Sequence, residues 1–440
     1  MKKWMALLVA LGMICLCGCG AHINKTEEVP TEAETTAPTE TEAPELDVVG
    51  LSVWVMEENV WADAEQMDAV LAGFNAYYPN ILVSIERHTP EDLKTSRPDV
   101  VLAAVDQIGT WSAENSMVDL SDMWKNGLQG DVYPIAEELC RTGESYHAVP
   151  LCLMTYCMAV NTQILSDADA LAILNTSSHN WNTSSFFRAM EIVYDNGWET
   201  VGTIYCKDQQ EDMQPRLFVE NLQDGSFIEK RTGTYRVADG DMGKALASLA
   251  KQGGIFFDPG CDAQAARDAF LNGETAFVLN WNSALQAKYA DRSEILYMNY
   301  PSADSIPKTY AEVYGLGIFD NGDPVQTAAS VTFVEFMSNY ADAIRATRNL
   351  PVRNSQKDVY NGTELETVMK DLSKMITYVK DKPATAAHWE TARTKWNEML
   401  RSLGAAGEEY QAVLDAAQQS FNSLFPEIYP PETEVPAETE

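Results

Sequence analysis

The chain has 440 residues, 45% of them hydrophobic, so it can bury more than one apolar core. Its 65 Asp and Glu against 31 Lys and Arg set a net charge of −34, which excludes nucleic acid as a partner. Five of its eight cysteines lie beyond residue 20 (Cys140, Cys152, Cys157, Cys206, Cys261); that odd count, without a Cys-x-x-Cys pair and with only five His, argues against a disulfide framework or a structural zinc site.

The chain opens with Met1-Lys2-Lys3, an unbroken apolar or small stretch from Trp4 to Cys17, and small residues at Gly18 and Gly20. This is the layout of a secretory signal, and the stretch is shorter than the roughly 20 residues a spanning helix needs. Leu16-Cys17-Gly18-Cys19 resembles the bacterial lipobox, which implies that residues 1–18 are removed and that Cys19 is diacylated through its sulfur. Two acyl chains anchor stably where one binds only reversibly. An ordinary cleaved signal with incidental cysteines is the alternative.

Residues 19–47 follow as an acidic tether rich in Pro, Glu and Thr, and residues 429–440 have the same composition. Such segments cannot bury enough surface to offset chain ordering. Residues 21–50 carry one Lys against seven Glu and one Asp, and residues 426–440 add five Glu, which leaves about −24 on the body. From there the pattern alternates: a strand in "DVVGLSVWVM", a helix near Ala64–Tyr78, a strand in "ILVSIE", another in "PDVVLAAV", then a helix. That order predicts an α/β fold with a mostly parallel sheet. About 380 globular residues exceed the ~250–300 that one core serves, so two lobes are expected. Cys152 and Cys157 lie in an apolar run and read as buried free thiols. Trp54, inside a strand, and Trp396, inside a helix, read as core.

The order of local motifs then becomes informative. "LSVWVMEEN", "NAYYPNILVSIE", "SRPDVVLAAVDQIGTWSAENSMVDLSDM", "GESYHAVPLCLMTYCMAVNTQIL", "NWNTSSFFRAMEIV", "ARDAFLNGETAFVLNWNSALQAK", "YAEVYGLGIF" and "NLPVRNS" follow one another. This series resembles the extracellular solute-binding proteins of ABC importers, family 1, the maltose-binding-protein-like group. The resemblance implies a two-lobed periplasmic-binding-protein-like (type II) fold with a ligand cleft between the lobes. The N-terminal lobe would comprise 48–152 plus 298–335, and the C-terminal lobe 153–297 plus 336–428. It further implies a monomer without a cofactor, held by its lipid anchor on the outer face of a bacterial membrane, that captures a carbohydrate and delivers it to ABC permease subunits. Met154 departs from the pattern, because the best-known relatives carry an acidic ligand contact there.

In open α/β sheets ligands bind outside the carboxyl ends of the strands. Those ends carry Glu57, Glu58 and Asn59 after one strand, Asp106 and Gln107 after another, and Trp281 and Asn282 after a third. Sugar rings need aromatic platforms and polar acceptors, which Trp111, Trp281, Tyr314, Trp389 and Asp106 are expected to supply. For Tyr77-Tyr78 a structural role is preferred over iron(III) binding, and Arg353 is expected to pair with an acid near the hinge. No G-x-S-x-G, P-loop, H-E-x-x-H or helix-opening G-x-G-x-x-G is present, so no catalytic residue and no metal site is predicted. The alternatives are a surface sensor or adhesion lipoprotein and, last, a glycoside hydrolase.

Overall fold

The computed structural model describes residues 47–430 except 115, 208–212, 253–256, 259, 305 and 376–385. The signal, Cys19, the acidic tether up to residue 46 and the tail beyond residue 430 lie outside the described residues. Twelve strands are described: β1 (Val49–Val55), β2 (Ile81–Arg87), β3 (Val100–Ala104), β4 (Arg141–Thr142), β5 (Ser145–Tyr146), β6 (Val149–Asn161), β7 (Gly202–Tyr205), β8 (Phe257–Asp258), β9 (Phe277–Asn282), β10 (Ile295–Met298), β11 (Ala311–Ile318) and β12 (Leu350–Pro351). Ten form one sheet in the order β2-β1-β3-β11-β6-β9-β7-β8, with β10 and β12 also paired to β6. β4 and β5 make a separate hairpin.

The sheet is less parallel than the alternation of elements predicts. Its wings are parallel, β1 with β2 and β3, and β7 with β8 and β9. In the middle every pairing of β6 and of β11 is antiparallel. Parallel neighbours require a crossover connection, and the wings have helices there: Ala64–Tyr77 between β1 and β2, and Met213–Leu222 with Gly240–Lys251 between β7 and β8. β11 and β12 instead arrive from far along the chain and fit beside β6 in the opposite direction. β6 spans the junction, facing β11 over Val149–Thr155 and β9 over Tyr156–Val160. The apolar core is contiguous through it.

All five residues of β3 are buried, as expected for a strand covered on both faces. Asp63, Asn182 and Asn282 accept from backbone N–H groups and cap the helices Ala64–Tyr77, Thr183–Asp195 and Ser283–Lys288. Asn282, expected in the cleft, is a buried cap that accepts from the Leu285 N–H at 2.9 Å.

Trp54 is buried and stacks on His88, and Trp396 is fully buried against Phe227. Tyr77 and Tyr78 pack on Phe336. Arg353 is buried: its Nε donates to Asp131 Oδ2 at 2.8 Å, and Nη1 reaches the Ser338 carbonyl and Asn339 Oδ1. Burial pushes the Asp131 carboxyl up, but the donations from Ser355 and Arg353 prevail and hold it below the usual range. All five body cysteines are buried and unbridged.

Candidate functional site

The carboxyl end of β1 carries the loop that begins at Glu57, and that of β3 runs directly into the helix Val105–Ala113, which holds Asp106 in its first turn. The β1 loop turns sharply, with Trp61 in the left-handed region at φ 52°, a conformation that costs a bulky residue about 1–2 kcal/mol. Arg87, at the end of β2, holds the turn by donating to the carbonyls of Glu57, Val60 and Trp61. The Trp61 indole N–H donates to the Ala343 carbonyl at 2.9 Å. Within this turn Glu57 Oε1 accepts from the backbone and side-chain nitrogens of Asn59, both at 2.9 Å. The other carboxylate oxygen is left to face the sheet.

β11 brings the partner group. Tyr310, Glu312 and Tyr314 alternate along the chain and therefore share one side of the strand. A register shift follows Tyr314, and Gly315 is needed there because a Cβ would stand 2.7 Å from the Val149 carbonyl oxygen. Tyr156 of β6 stacks on Tyr310, with centroids 5.5 Å apart. Its hydroxyl donates to Glu312 Oε2 at 3.0 Å. The Tyr314 hydroxyl donates to the same oxygen at 2.6 Å and lies 3.1 Å from Glu57 Oε2 and 3.3 Å from the Tyr156 hydroxyl. Two carboxyl groups and two phenols thus form one cluster at the edge where the strands end.

The electrostatics follow from this geometry. Burial pushes the Glu312 carboxyl up to about 7; the donations from the two tyrosines oppose that shift, and the charges of Asp106 and Glu57 add to it. Burial, with Glu312 and Glu57 nearby, pushes the Tyr156 and Tyr314 phenols well above their ordinary range. Beside the cluster, Glu58 and Asn59 line a cavity of about 400 Å³ together with Asp63, Arg267, Lys288 and Arg348. Arg267 Nη2 stands 3.6 Å from Glu58 Oε1 across it. Among the described residues no group of three or more His, Cys, Asp or Glu could hold a metal ion.

Of the residues expected from the sequence, Glu57 and Tyr314 meet in the cluster, and Asp106 stands near enough for its charge to raise Glu312. Glu58 and Asn59 face the adjoining cavity. Asp106 and Gln107 are exposed in the first turn of the helix Val105–Ala113, where Asp106 Oδ1 accepts from the Gln107 N–H at 2.8 Å. The tryptophans lie elsewhere. Trp111 packs on Phe319, which follows the far end of β11, because Ile318 pairs with Val100 while Tyr314 pairs with Ala104. Trp281 is 0% exposed, packed against Phe270 and Tyr289, with its indole N–H on Gln286 Oε1. Trp389 is buried beneath Arg216, whose guanidinium carbon lies 5.3 Å from the ring centroid. These three rings pack in the protein rather than forming platforms at the cluster.

Tyr156, Tyr310, Glu312 and Arg267 belong to the site and were not singled out from the sequence. The alternation Tyr-Ala-Glu-Val-Tyr was the available signal, since a Glu flanked at i±2 by tyrosines marks one polar side of a strand. Glu312 stands directly opposite Met154 in the pairing of β11 with β6. Glu312 therefore places a carboxyl on the strand next to position 154.

The family model described as bacterial extracellular solute-binding protein matches residues 87–367. Sequence comparison with curated proteins finds no match. Among solved structures, maltose-bound MalE3 of T. maritima superposes with a TM-score of 0.66 at 15% identity, covering 86% of this chain and 100% of that one. The GacH receptor of Streptomyces glaucescens, solved unliganded and with acarbose, gives 0.65 at 14% identity, covering 86% and 99%. An ABC substrate-binding protein of Listeria monocytogenes in complex with cycloalternan gives 0.63 at 15% identity, again covering 86% and 99%. These structures share the two-lobed α/β architecture with this chain.

Proposed function

Since the chain belongs to the bacterial extracellular solute-binding protein family, we propose that it is the substrate-binding component of an ABC importer and that its solute is a carbohydrate. The observation that carries this reading is the cluster of Glu57, Tyr156, Glu312 and Tyr314 at the carboxyl edge of β1 and β3, beside a cavity of about 400 Å³. Carboxylates and phenols accept from and donate to hydroxyl pairs, and the Tyr156–Tyr310 pair offers flat apolar faces to a sugar ring. The relatives crystallised with maltose, acarbose and cycloalternan favour the same ligand class.

The lobes are 48–152 plus 298–335 and 153–297 plus 336–428. In that division Glu58 and Arg267 belong to opposite lobes, so their 3.6 Å approach is a contact that closure would tighten. Capture is non-enzymatic: a solute touching both lobes favours the closed form, which then docks on a permease. Cys19 carries the lipid, and residues 20–47 hold the body off the outer face of the cell membrane.

A thermal-shift screen of the purified protein against mono- and oligosaccharides tests this. A sugar that binds only the folded state at 100 times its Kd adds about 2.7 kcal/mol and raises Tm by several degrees. A flat response to every sugar refutes the carbohydrate assignment, and new reducing ends on incubation would refute the non-enzymatic reading.

A further inference from the structure

The four oxygens of the cluster make more close contacts than their own hydrogens can serve. Glu312 Oε2 touches both phenols, at 3.0 and 2.6 Å, and the Tyr314 oxygen also touches Glu57 Oε2 at 3.1 Å and the Tyr156 oxygen at 3.3 Å. Two phenolic hydrogens satisfy two of these four contacts. A proton on Glu312 Oε2 supplies a third: it donates to Tyr314, Tyr314 then donates to Glu57, and Tyr156 remains on Glu312.

We propose that this cluster carries one proton at neutral pH, held on Glu312, and that the solute is captured on the protonated form. The proposal rests on the carbohydrate reading for the neutrality of the solute. The charged and titratable groups facing Glu312 are Tyr310 and Tyr314 on its own strand, Tyr156 on β6, Glu57 on the β1 loop, and Asp106 after β3. The neighbouring cation, Arg87, donates to the Glu57 carbonyl. When the lobes close on an uncharged sugar, water leaves and three carboxylates remain together. Neutralising one of them lowers that cost. Burial already pushes the Glu312 carboxyl up to about 7 in the free protein, and removing further water on closure moves it in the same direction. The neutral carboxyl keeps Oε1 as an acceptor for a sugar hydroxyl.

Two measurements on the full chain decide this. Infrared difference spectra of the free protein between pH 6 and pH 8.5 should show a protonated-carboxyl band that is lost in Glu312→Gln; no such band overturns the proposal, whether or not any sugar binds. Calorimetric titration with maltose and with cycloalternan across pH 6–8.5 should show affinity falling as pH rises, approaching tenfold per unit above the midpoint, with proton uptake on binding. Glu312→Gln, which retains a donor and an acceptor without charge, should bind at the wild-type acid-side level at every pH. Affinity that is flat with pH, or proton release on binding, overturns the proposal. If neither sugar binds at any pH, the carbohydrate reading and docking on the protonated form fall, while the infrared band still decides whether the proton is there.

Discussion

Replacing Glu312 by Gln should change the pH dependence of stability more than stability itself. The folded carboxyl titrates at about 7 against an ordinary 4.5. A folded pKa above the unfolded one means that the folded state binds the proton more tightly. The stabilisation is therefore fully present below about pH 4.5 and is lost as pH rises through 7. At about 1.4 kcal/mol per tenfold change in proton affinity, the whole transition is worth about 3 kcal/mol. Between pH 5 and 8, after allowance for residual solvent at a half-buried group, about 2 kcal/mol of it should be seen. Gln is nearly isosteric, does not titrate, and can donate to the phenol oxygens. Urea unfolding of wild type and Glu312→Gln at half-unit steps from pH 5 to 8 isolates the contribution, because every other titrating group is common to both. The wild type should lose about 2 kcal/mol relative to the variant across this window, with the change centred below pH 7. Parallel curves would refute the reasoning, and a wild type that gains relative to Gln on going alkaline would reverse its sign.

Trp281→Ala should cost about 3–5 kcal/mol in urea unfolding, since a fully buried indole is removed and Gln286 loses its partner; a loss under 1 kcal/mol would mean that the ring is not core. Asp106→Asn, at an exposed position, should leave the urea midpoint within about 0.5 kcal/mol while lowering the Glu312 midpoint, read from the same infrared band. Arg353→Met should destabilise by about 2–4 kcal/mol, because Asp131 and the Ser338 carbonyl lose their donor. Arg267→Ala should shift stability by under about 1 kcal/mol, since Glu58 is exposed, and should change capture instead, read as sugar affinity by calorimetry.

Much of the fold was legible because the relevant signals are local. The strands in "DVVGLSVWVM", "ILVSIE" and "PDVVLAAV" and the helix near Ala64–Tyr78 each declare themselves in a short local run. Arg353 could be assigned an acidic partner because a basic residue beside apolar ones rarely stays buried unpaired. The tryptophans misled for the complementary reason. A Trp at a strand end has the same letter whether its ring faces a cleft or a core, and only packing tells Trp281 on Phe270 from a ring open to a ligand. Glu312 was hidden by the opposite effect: it sits in a run that reads as strand interior, and its partner Tyr156 lies 156 residues earlier in the chain.

By itself the sequence determined the acidic character of the chain, the α/β alternation, and the strand ends at which Glu57 and Asp106 are delivered, because these depend on composition and local period. The tertiary structure decided what those ends face. The Tyr314 hydroxyl reaches Glu57 across 257 residues of chain because β11 inserts antiparallel between β3 and β6 and shifts register at Gly315. Strand order and register are long-range properties, set by which surfaces can be buried together, and they turn scattered acids and tyrosines into one site.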